Sequence, residues 1–436
     1  MPVGPRAITP LVTPPDAAVD IPGSKSLTNR ALVIAALARG TTRLSNTLFS
    51  DDTVVMVDSL KRLGFAVEVD SDALQMTVYG LGGTIPAAAA DLFVGNAGTA
   101  ARFLTAMVAL GAGRYRLDGS ARMRERPIQD LLDALATLGA TSASTGGCPP
   151  VMVDARGLRG GRAGVRGEIS SQFVSAVLMA APYAAADVDL TIEGRLVGAP
   201  YVDMTIAVMR EFGVRVERGG HGRGPNEIHV PGRQQYRARD YAVEPDASGA
   251  AYFFAAAAVC GGRVRVPGLS MSSLQGDAKI VDLFERMGCA VERDASYLEV
   301  RAGQTLKGVD VDLGGLSDQT MTLAAIAPFA AGPTRIRGVA HIRHQESDRL
   351  TATAMELRRL GQEVEEFDDG LKITPRPVKP AVIETYGDHR IAMAFAITGL
   401  RAPGIVIADP DCVSKTFPDF FERLDALSQP TPRPAT

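Results

Sequence analysis

Ser59-Leu-Lys-Arg-Leu-Gly64 is a helical stripe that ends on glycine, and the chain repeats it four more times. The copies are Ala134-Leu-Ala-Thr-Leu-Gly139, Val208-Met-Arg-Glu-Phe-Gly213, Leu283-Phe-Glu-Arg-Met-Gly288 and Glu356-Leu-Arg-Arg-Leu-Gly361, with glycine-to-glycine steps of 75, 74, 75 and 73 residues. Each glycine stands where a helix C-terminus needs a left-handed residue. Alternating apolar residues follow, as in Val67-Glu-Val69 and Val214-Arg-Val216, which predicts a strand after each helix. Phe421-Glu-Arg-Leu-Asp-Ala-Leu427 is a weaker sixth copy. A second element keeps the same beat. A turn residue opens a short strand at Gly40, Gly113, Asp187, Gly262, Gly332 and Gly404, spaced 73, 74, 75, 70 and 72 apart. Two elements in one phase along the whole chain mean six α/β units.

An Ala-rich helical stretch lies ahead of each turn, and a polar residue opens it: Ser26, Thr99, Ser171, Ser248, Asp318 and Asp388. Ser, Thr and Asp are good N-caps, so a buried helix of small residues is expected to begin at each. The six starts read Gly23-Ser-Lys-Ser-Leu-Thr-Asn-Arg30, Gly95-Asn-Ala-Gly-Thr-Ala-Ala-Arg102, Ser170-Ser-Gln172, Glu244-Pro-Asp-Ala-Ser248, Leu316-Ser-Asp-Gln319 and Tyr386-Gly-Asp-His-Arg390. A helix N-terminus carries unpaired N–H groups and partial positive charge, which suits phosphate or carboxylate. Lys25 and Arg30 add full charge to the first start, and Gly95 and Gly98 let backbone approach a ligand at the second. Further basic residues stand in Arg122-Met-Arg-Glu-Arg126, His341-Ile-Arg-His-Gln-Glu-Ser-Asp-Arg349 and Val413-Ser-Lys415. Converging on one cleft, such charges would bind small, strongly anionic substrates, with Arg giving bidentate contacts. A charge run such as Arg122, Arg124 and Arg126 can equally be a solvated face.

The bulk properties agree with an enzyme of this kind. At 436 residues, two or three domains are expected, and 46% hydrophobic with 22% charged residues is ordinary globular composition. A net charge of −3 gives no general attraction to nucleic acid or to an anionic membrane. Apolar runs such as Ala250–Cys260 are too short to span a bilayer. The first residues lack a basic segment followed by an apolar run, so a secretory signal is not expected and a cytoplasmic location is. Cys148, Cys260, Cys289 and Cys412 are far apart and read as reduced, mostly buried thiols. No His/Cys/Asp spacing suggests a zinc site, so no metal is expected. Gly23-Ser-Lys-Ser lacks the P-loop spacing. His221 and His229 lie in a Gly-rich polar stretch and read as surface residues. The Pro-rich end from Ser428 to Thr436 reads as disordered.

Pro22-Gly-Ser-Lys-Ser, Gly95-Asn-Ala-Gly-Thr-Ala, Arg124-Glu-Arg-Pro-Ile, Ser170-Ser-Gln-Phe, Gln345-Glu-Ser-Asp-Arg-Leu, Tyr386-Gly-Asp-His-Arg-Ile-Ala-Met and Lys415-Thr-Phe-Pro together resemble the 5-enolpyruvylshikimate-3-phosphate synthases, from about residue 8 to about 427. The resemblance implies an α/β (α+β) protein, a two-domain inside-out α/β barrel of six βαβαββ repeat units, three per domain. Residues 1–22 and 244–436 would form domain I and residues 23–243 domain II. It implies transfer of the enolpyruvyl group of phosphoenolpyruvate to the 5-hydroxyl of shikimate 3-phosphate, by addition and elimination, with release of phosphate. It implies no metal or organic cofactor, no nucleic-acid or membrane partner, and a monomer.

The resemblance assigns Asp318 as the base toward the attacking hydroxyl. Glu346 would exchange the proton at the methylene carbon, and Lys25 would act as acid and charge stabiliser between the substrates. Phosphoenolpyruvate would be held by Lys25, Asn96, Gly98, Arg126, Gln172, Arg349, His389, Arg390 and Lys415. Shikimate 3-phosphate would be held by Lys25, Ser26, Arg30, Ser170, Ser171, Gln172, Tyr201, Asp318, His341 and Gln345. Three departures cluster at the acceptor's phosphate. Gly198 stands where the family usually has Ser, His341 where many members have Asn, and Gln345 where many have Lys. His344 or Arg343 is then the candidate replacement for the missing charge. An alternative is a paralogue acting on a modified shikimate-like acceptor. The related transferase acting on UDP-N-acetylglucosamine carries a reactive cysteine in a mobile loop, and Ala112–Arg126 here has none. Gly98 resembles the glyphosate-sensitive form of its loop, and Phe103 departs from the usual Pro or Leu.

Overall fold

The computed structural model describes residues 4–220 and 223–428; His221 and residues 429–436, read above as surface and as a disordered end, lie outside the described residues. The chain divides into two compact units, Gly23–Val243 and Met1–Pro22 with Glu244–Thr436. Its α-helices are α1 Lys25–Leu37, α2 Asp51–Arg62, α3 Gly98–Val108, α4 Gln129–Thr137, α5 Ser171–Ala180, α6 Ala199–Glu211, α7 Ala247–Cys260, α8 Ile280–Arg286, α9 Thr320–Ile326, α10 Arg349–Arg359, α11 His389–Arg401 and α12 Phe420–Ala426.

One sheet plan recurs. In the unit Gly23–Val243 the second sheet runs Ala89–Phe93, Ala112–Asp118, Cys148–Arg156, Thr141–Thr145. Its first pair is parallel and the next two are antiparallel. The third sheet, Gly161–Arg166, Val188–Glu193, Arg223–Val230, Glu217–Gly220, repeats this. The first does too, but its leading strand, Asp240–Ala242, comes from the far end of the unit and lies parallel to Arg39–Ser45. In the other unit, Asp16–Ala18 leads the sheet of Arg263–Pro267 in the same way. The sheet centred on Thr334–Arg337 keeps the four-strand plan, led by Asp310–Asp312. The sixth sheet has three strands, because Arg6–Ala7 pairs antiparallel with Ile405–Ile407 where the other units place a hairpin.

The turn-and-strand elements read from the sequence are the central strands of these six sheets. The Ala-rich helices pack together inside each unit, α1, α3 and α5 in one and α7, α9 and α11 in the other. Helices apolar on all sides must be buried on all sides. Every residue of α3 and α9 is buried; α1 exposes only Ser26, α5 only Gln172, α7 only Cys260 and α11 only Arg401. Small residues allow this close packing, and the sheets lie outside.

All five glycines of the repeat are left-handed, with φ of 94°, 104°, 85°, 99° and 82° at Gly64, Gly139, Gly213, Gly288 and Gly361. Each lets the next amide turn back onto the helix, as in Phe65 N to Leu60 O at 3.0 Å. At Gly64 a Cβ would also lie 2.7 Å from Pro86 Cβ. Gly64→Ala is therefore expected to cost about 2 kcal/mol. Urea unfolding should show a lower midpoint with an unchanged slope.

The helix starts differ from the expected ones by a residue or two. The caps are Ser24, Ala97, Ser170, Asp246 and Asp388, and a 3-10 turn Ser317–Gln319 precedes α9. Of the expected caps only Asp388 is one, accepting from Arg390 N at 3.0 Å. Ser26, Thr99, Ser171 and Ser248 sit in the first turn instead. A cap must be the last extended residue, so that its oxygen reaches an amide two or three positions on, as Asp246 reaches Gly249 N at 2.9 Å.

Two other expectations are corrected. His229 is not on the open surface: register places it opposite Asp189, and Nδ1 lies 2.8 Å from that carboxylate. Of the cysteines only Cys289 is buried, the rest being half-buried. All are free thiols, and burial pushes Cys260 up to about 11 and Cys412 up to about 12. No helix among the described residues is long and apolar enough to cross a membrane.

Candidate active site

In the unit containing Glu244–Thr436, three helix starts converge on one guanidinium. Arg349 opens α10, is 1% exposed, and spends all five N–H donors on neighbouring side chains. Nε and Nη2 hold Asp388 at 2.8 and 3.2 Å, and Nη2 also reaches Glu346 at 2.9 Å. Nη1 holds Asp318 at 3.1 Å and the Gln345 carboxamide oxygen. Burial alone would lower the pKa of Arg349, but Asp388, Glu346 and Asp318 outweigh it and raise it. Arg390 approaches Asp318 from the other side, Nη2 to Oδ2 at 2.7 Å, and its Nη1 lies 3.5 Å from the buried Tyr252 hydroxyl. Asp318 is thus gripped by two guanidiniums, from α10 and α11. His389 is fully buried beside Asp388 at 3.5 Å, and Lys415 is buried in the 3-10 turn Pro410–Lys415 packed on α11.

The chain bends sharply to present these groups. Tyr386 and Gly387 are both left-handed ahead of Asp388, with φ of 55° and 63°. Tyr386 is held by its hydroxyl on Glu356 Oε1 at 2.7 Å, which sets the entry into α11.

In the unit Gly23–Val243, Lys25 opens α1 and is 9% exposed, its Nζ 3.5 Å from the buried Asp52 of α2. Arg126 is 4% exposed and its Nη1 bonds the Asn96 carbonyl and side-chain oxygens at 3.0 and 3.2 Å. A Cβ at Gly98 would stand 2.3 Å from Arg126 Nη2, so the glycine is what admits the guanidinium. Ser170 caps α5, accepting from Gln172 N at 3.2 Å, and so places Ser171 and Gln172 in the first turn.

The charge run at 122–126 splits. Arg124 makes a fork on Asp118 at 2.8 and 2.7 Å and, with backbone and Arg116 contacts, holds that carboxyl down at about 2. Arg122 pairs with Glu125 at 2.9 Å. Only Arg126 turns inward.

Arg30, assigned by the resemblance to the acceptor, is held here by the protein's own groups. It is 2% exposed and donates to Thr205 Oγ1, Ser26 O, Ser175 Oγ and Tyr201 O at 2.7, 2.9, 3.4 and 3.1 Å. Burial lowers its pKa to about 10. It ties the start of α1 to that of α6, and thereby fixes Ser26 and Tyr201.

The departures also resolve locally. Gly198 caps α6 with φ +61°, and a Cβ there would meet Ser171 Oγ at 2.9 Å and Tyr201 Cδ2 at 3.2 Å. The glycine keeps the Ser171 hydroxyl in place. Arg343 is engaged with the protein's own groups: its guanidinium holds Asp348 and Glu366, both at 3.0 Å, and Phe367 O at 2.8 Å. His344 is exposed and His341 is 9% exposed, so His341 is the buried one of the turn's basic residues.

Asp388, Asp52, Asp277 and Ser248 are close to this chemistry without having been singled out as site residues. Asp388 was legible as a helix start; Asp52 and Asp277 meet their partners only through tertiary packing.

The family model of EPSP synthase (3-phosphoshikimate 1-carboxyvinyltransferase) matches residues 12–424. The chain is 52% identical over 419 residues to a 3-phosphoshikimate 1-carboxyvinyltransferase of Nostoc punctiforme, covering 96% of this chain and 97% of that one. To the one of Aeromonas salmonicida it is 47% identical over 416 residues, covering 94% and 96%. The structure of EPSP synthase from Acinetobacter baumannii superposes with a TM-score of 0.81 at 26% identity, covering 98% of both chains. With six repeated units and helix starts crowded by Arg, Lys and carboxylates, this chain belongs to the EPSP synthase (3-phosphoshikimate 1-carboxyvinyltransferase) family.

Proposed function

We propose that this chain catalyses the family's enolpyruvyl transfer, from phosphoenolpyruvate to shikimate 3-phosphate, with Asp318, Glu346 and Lys25 as its catalytic residues. The grip of Arg349 and Arg390 on Asp318 carries the reading. It puts a carboxylate base beside two of the cations that suit the donor's carboxylate and phosphate.

The chemistry asks for three things. The acceptor's 5-hydroxyl must lose a proton, the donor's methylene carbon must gain one, and the oxygen-rich adduct needs cationic support before phosphate leaves. Asp318 takes the hydroxyl proton. Glu346, buried and fixed by Arg349, delivers and later removes the methyl proton. Lys25, whose ammonium is set by Asp52, supplies the compact charge between the reacting groups. Arg126, Arg349, Arg390 and Lys415 bind the donor, with Asn96, Gly98, Gln172 and His389 shaping its place. Ser26, Arg30, Ser170, Ser171, Gln172 and Tyr201 bind the acceptor together with Lys25 and Asp318, with His341 and Gln345 at its phosphate.

Because Arg349 has no donor to spare, the incoming carboxylate displaces Asp318 or Gln345 from it. Where Asp318 is the group displaced, donor binding also frees the base from one of its two guanidiniums. The enzyme acts as a monomer in the cytoplasm on this reading.

Proton exchange tests it. In heavy water with both substrates, the wild type is expected to place deuterium in the enolpyruvyl methylene group, followed by proton NMR. Glu346→Gln is expected to lose that exchange together with turnover. Exchange at the wild-type rate in Glu346→Gln would remove Glu346 from the mechanism.

A further inference from the structure

Glu244-Pro-Asp-Ala-Ser248 is the helix start to which the family reading gives no task, and the Ser248 hydroxyl bonds a second buried carboxylate. Asp277 lies in the short 3-10 turn Gly276–Lys279 and is 3% exposed. It accepts from Ser248 Oγ in the first turn of α7, and from Gln319 Nε2 at 3.4 Å. Gln319 is the residue after Asp318 in the same turn. The arm carrying Asp277 is rigidly placed. Gln275, two residues earlier, bonds Ala247 N at 3.0 Å, Pro245 O at 2.7 Å and Glu244 Oε2 at 3.0 Å.

Asp277 thus receives hydrogen bonds from two neutral groups, while Asp318 receives them from two guanidiniums. Charged groups facing Asp277 include Asp318, Arg390 and Asp246. Burial, and after it the nearby Asp318 charge, push its carboxyl up to about 6, against the Ser248 bond and Arg390. Gln319 is fully buried and turns its amide nitrogen to Asp277, leaving Oε1 without a hydrogen-bond partner. A carboxylate that holds a buried amide in this orientation constrains the turn that carries Asp318.

We propose that Asp277 is a positioning residue for the transfer reaction, whose buried negative charge, held by Ser248 and Gln319, makes Asp318 a stronger base and fixes its turn. The inference rests on Asp318 being the base. Two guanidiniums alone would leave Asp318 a weak acceptor of protons, since a neighbouring cation favours the ionised carboxylate. A neighbouring anion does the reverse. When Asp318 takes the hydroxyl proton, one of two facing negative charges disappears, and the transfer is favoured by that relief.

The two partners of the network give pH shifts of opposite sign. Asp277→Asn keeps the shape and removes the charge, so the acid limb of the kcat/KM profile for the acceptor should move to lower pH by about one unit. The rate on the plateau should fall roughly threefold to tenfold, as a weaker base requires. Ser248→Ala removes a hydrogen bond to the ionised form of Asp277, so the acid limb should move to higher pH. Equal loss of rate at every pH with the limb unmoved in Asp277→Asn would overturn the inference. So would limbs moving in the same direction in the two variants. Should Asp277→Asn fail to fold, Ser248→Ala alone decides, because an unmoved or lowered limb contradicts the proposal. Asp318→Asn separates the two readings. Full activity there would sink the assignment of the base itself, whereas an inactive Asp318→Asn with an unmoved limb in Asp277→Asn sinks only the part given to Asp277.

Discussion

Arg349→Ala is expected to lower stability by about 3–5 kcal/mol and to abolish turnover. The guanidinium is the meeting point of Asp318, Glu346 and Asp388, each from a different stretch of chain, and its side chain is 2% exposed. Alanine would leave three carboxylates facing one another with little access to water. Removing one partner of a buried ionic cluster leaves uncompensated charge, which costs more than the pair itself contributes. Some of the loss would be recovered by protonation, so the deficit should be smaller at low pH. The sign follows from charge: without Arg349 the ionised carboxylates repel one another, protonation relieves that repulsion, and the penalty therefore grows with pH. Urea unfolding at pH 5 and pH 8 would show a larger deficit at the higher pH. Arg349→Lys keeps one charge but offers three donors for five bonds, and should fall between the two.

Asp318→Asn is expected to cut kcat by about 10²–10⁴, the usual contribution of a positioned base. The KM for phosphoenolpyruvate should not rise, because Arg349 and Arg390 lose a competing anion rather than a site for the donor. The fold should persist, since an Asn oxygen can still accept from one guanidinium and Asp388 and Glu346 still balance Arg349. A kcat within tenfold of wild type would show that another group takes the hydroxyl proton. Loss of donor binding instead of rate would show that Asp318 acts through placement of the arginines.

The repeat was legible because two local rules generate it. A left-handed glycine closes the helix in five of the six copies, and a buried helix must be apolar on every side, so Gly64 through Gly361 marked five units and the Ala-rich runs all six. Helix starts were legible only to within a residue or two, because several Ser, Thr and Asp compete at each start and the backbone selects one. Charge was legible as clusters and not as partners. Arg122, Arg124 and Arg126 look alike in sequence, yet Asp118 claims Arg124 while Arg126 lies beside Gly98. Arg343 and Arg349 differ by six positions in one segment, yet one holds Glu366 at a strand and the other lies at the centre of the carboxylates. Asp52 and Asp277 had no local signature at all. Their importance comes from Lys25 and Ser248, which reach them across the fold.

The site is expected to move the enolpyruvyl group to a phosphorylated acceptor although Gly198, His341 and Gln345 depart from the family pattern at its phosphate. Release of inorganic phosphate from phosphoenolpyruvate tests it, with shikimate 3-phosphate as acceptor and unphosphorylated shikimate in parallel. Release is expected with shikimate 3-phosphate at ordinary enzyme rates, in step with consumption of the acceptor, and far more slowly with shikimate. Release with neither acceptor, from protein that is folded and binds phosphoenolpyruvate, would contradict it and move the acceptor to another compound.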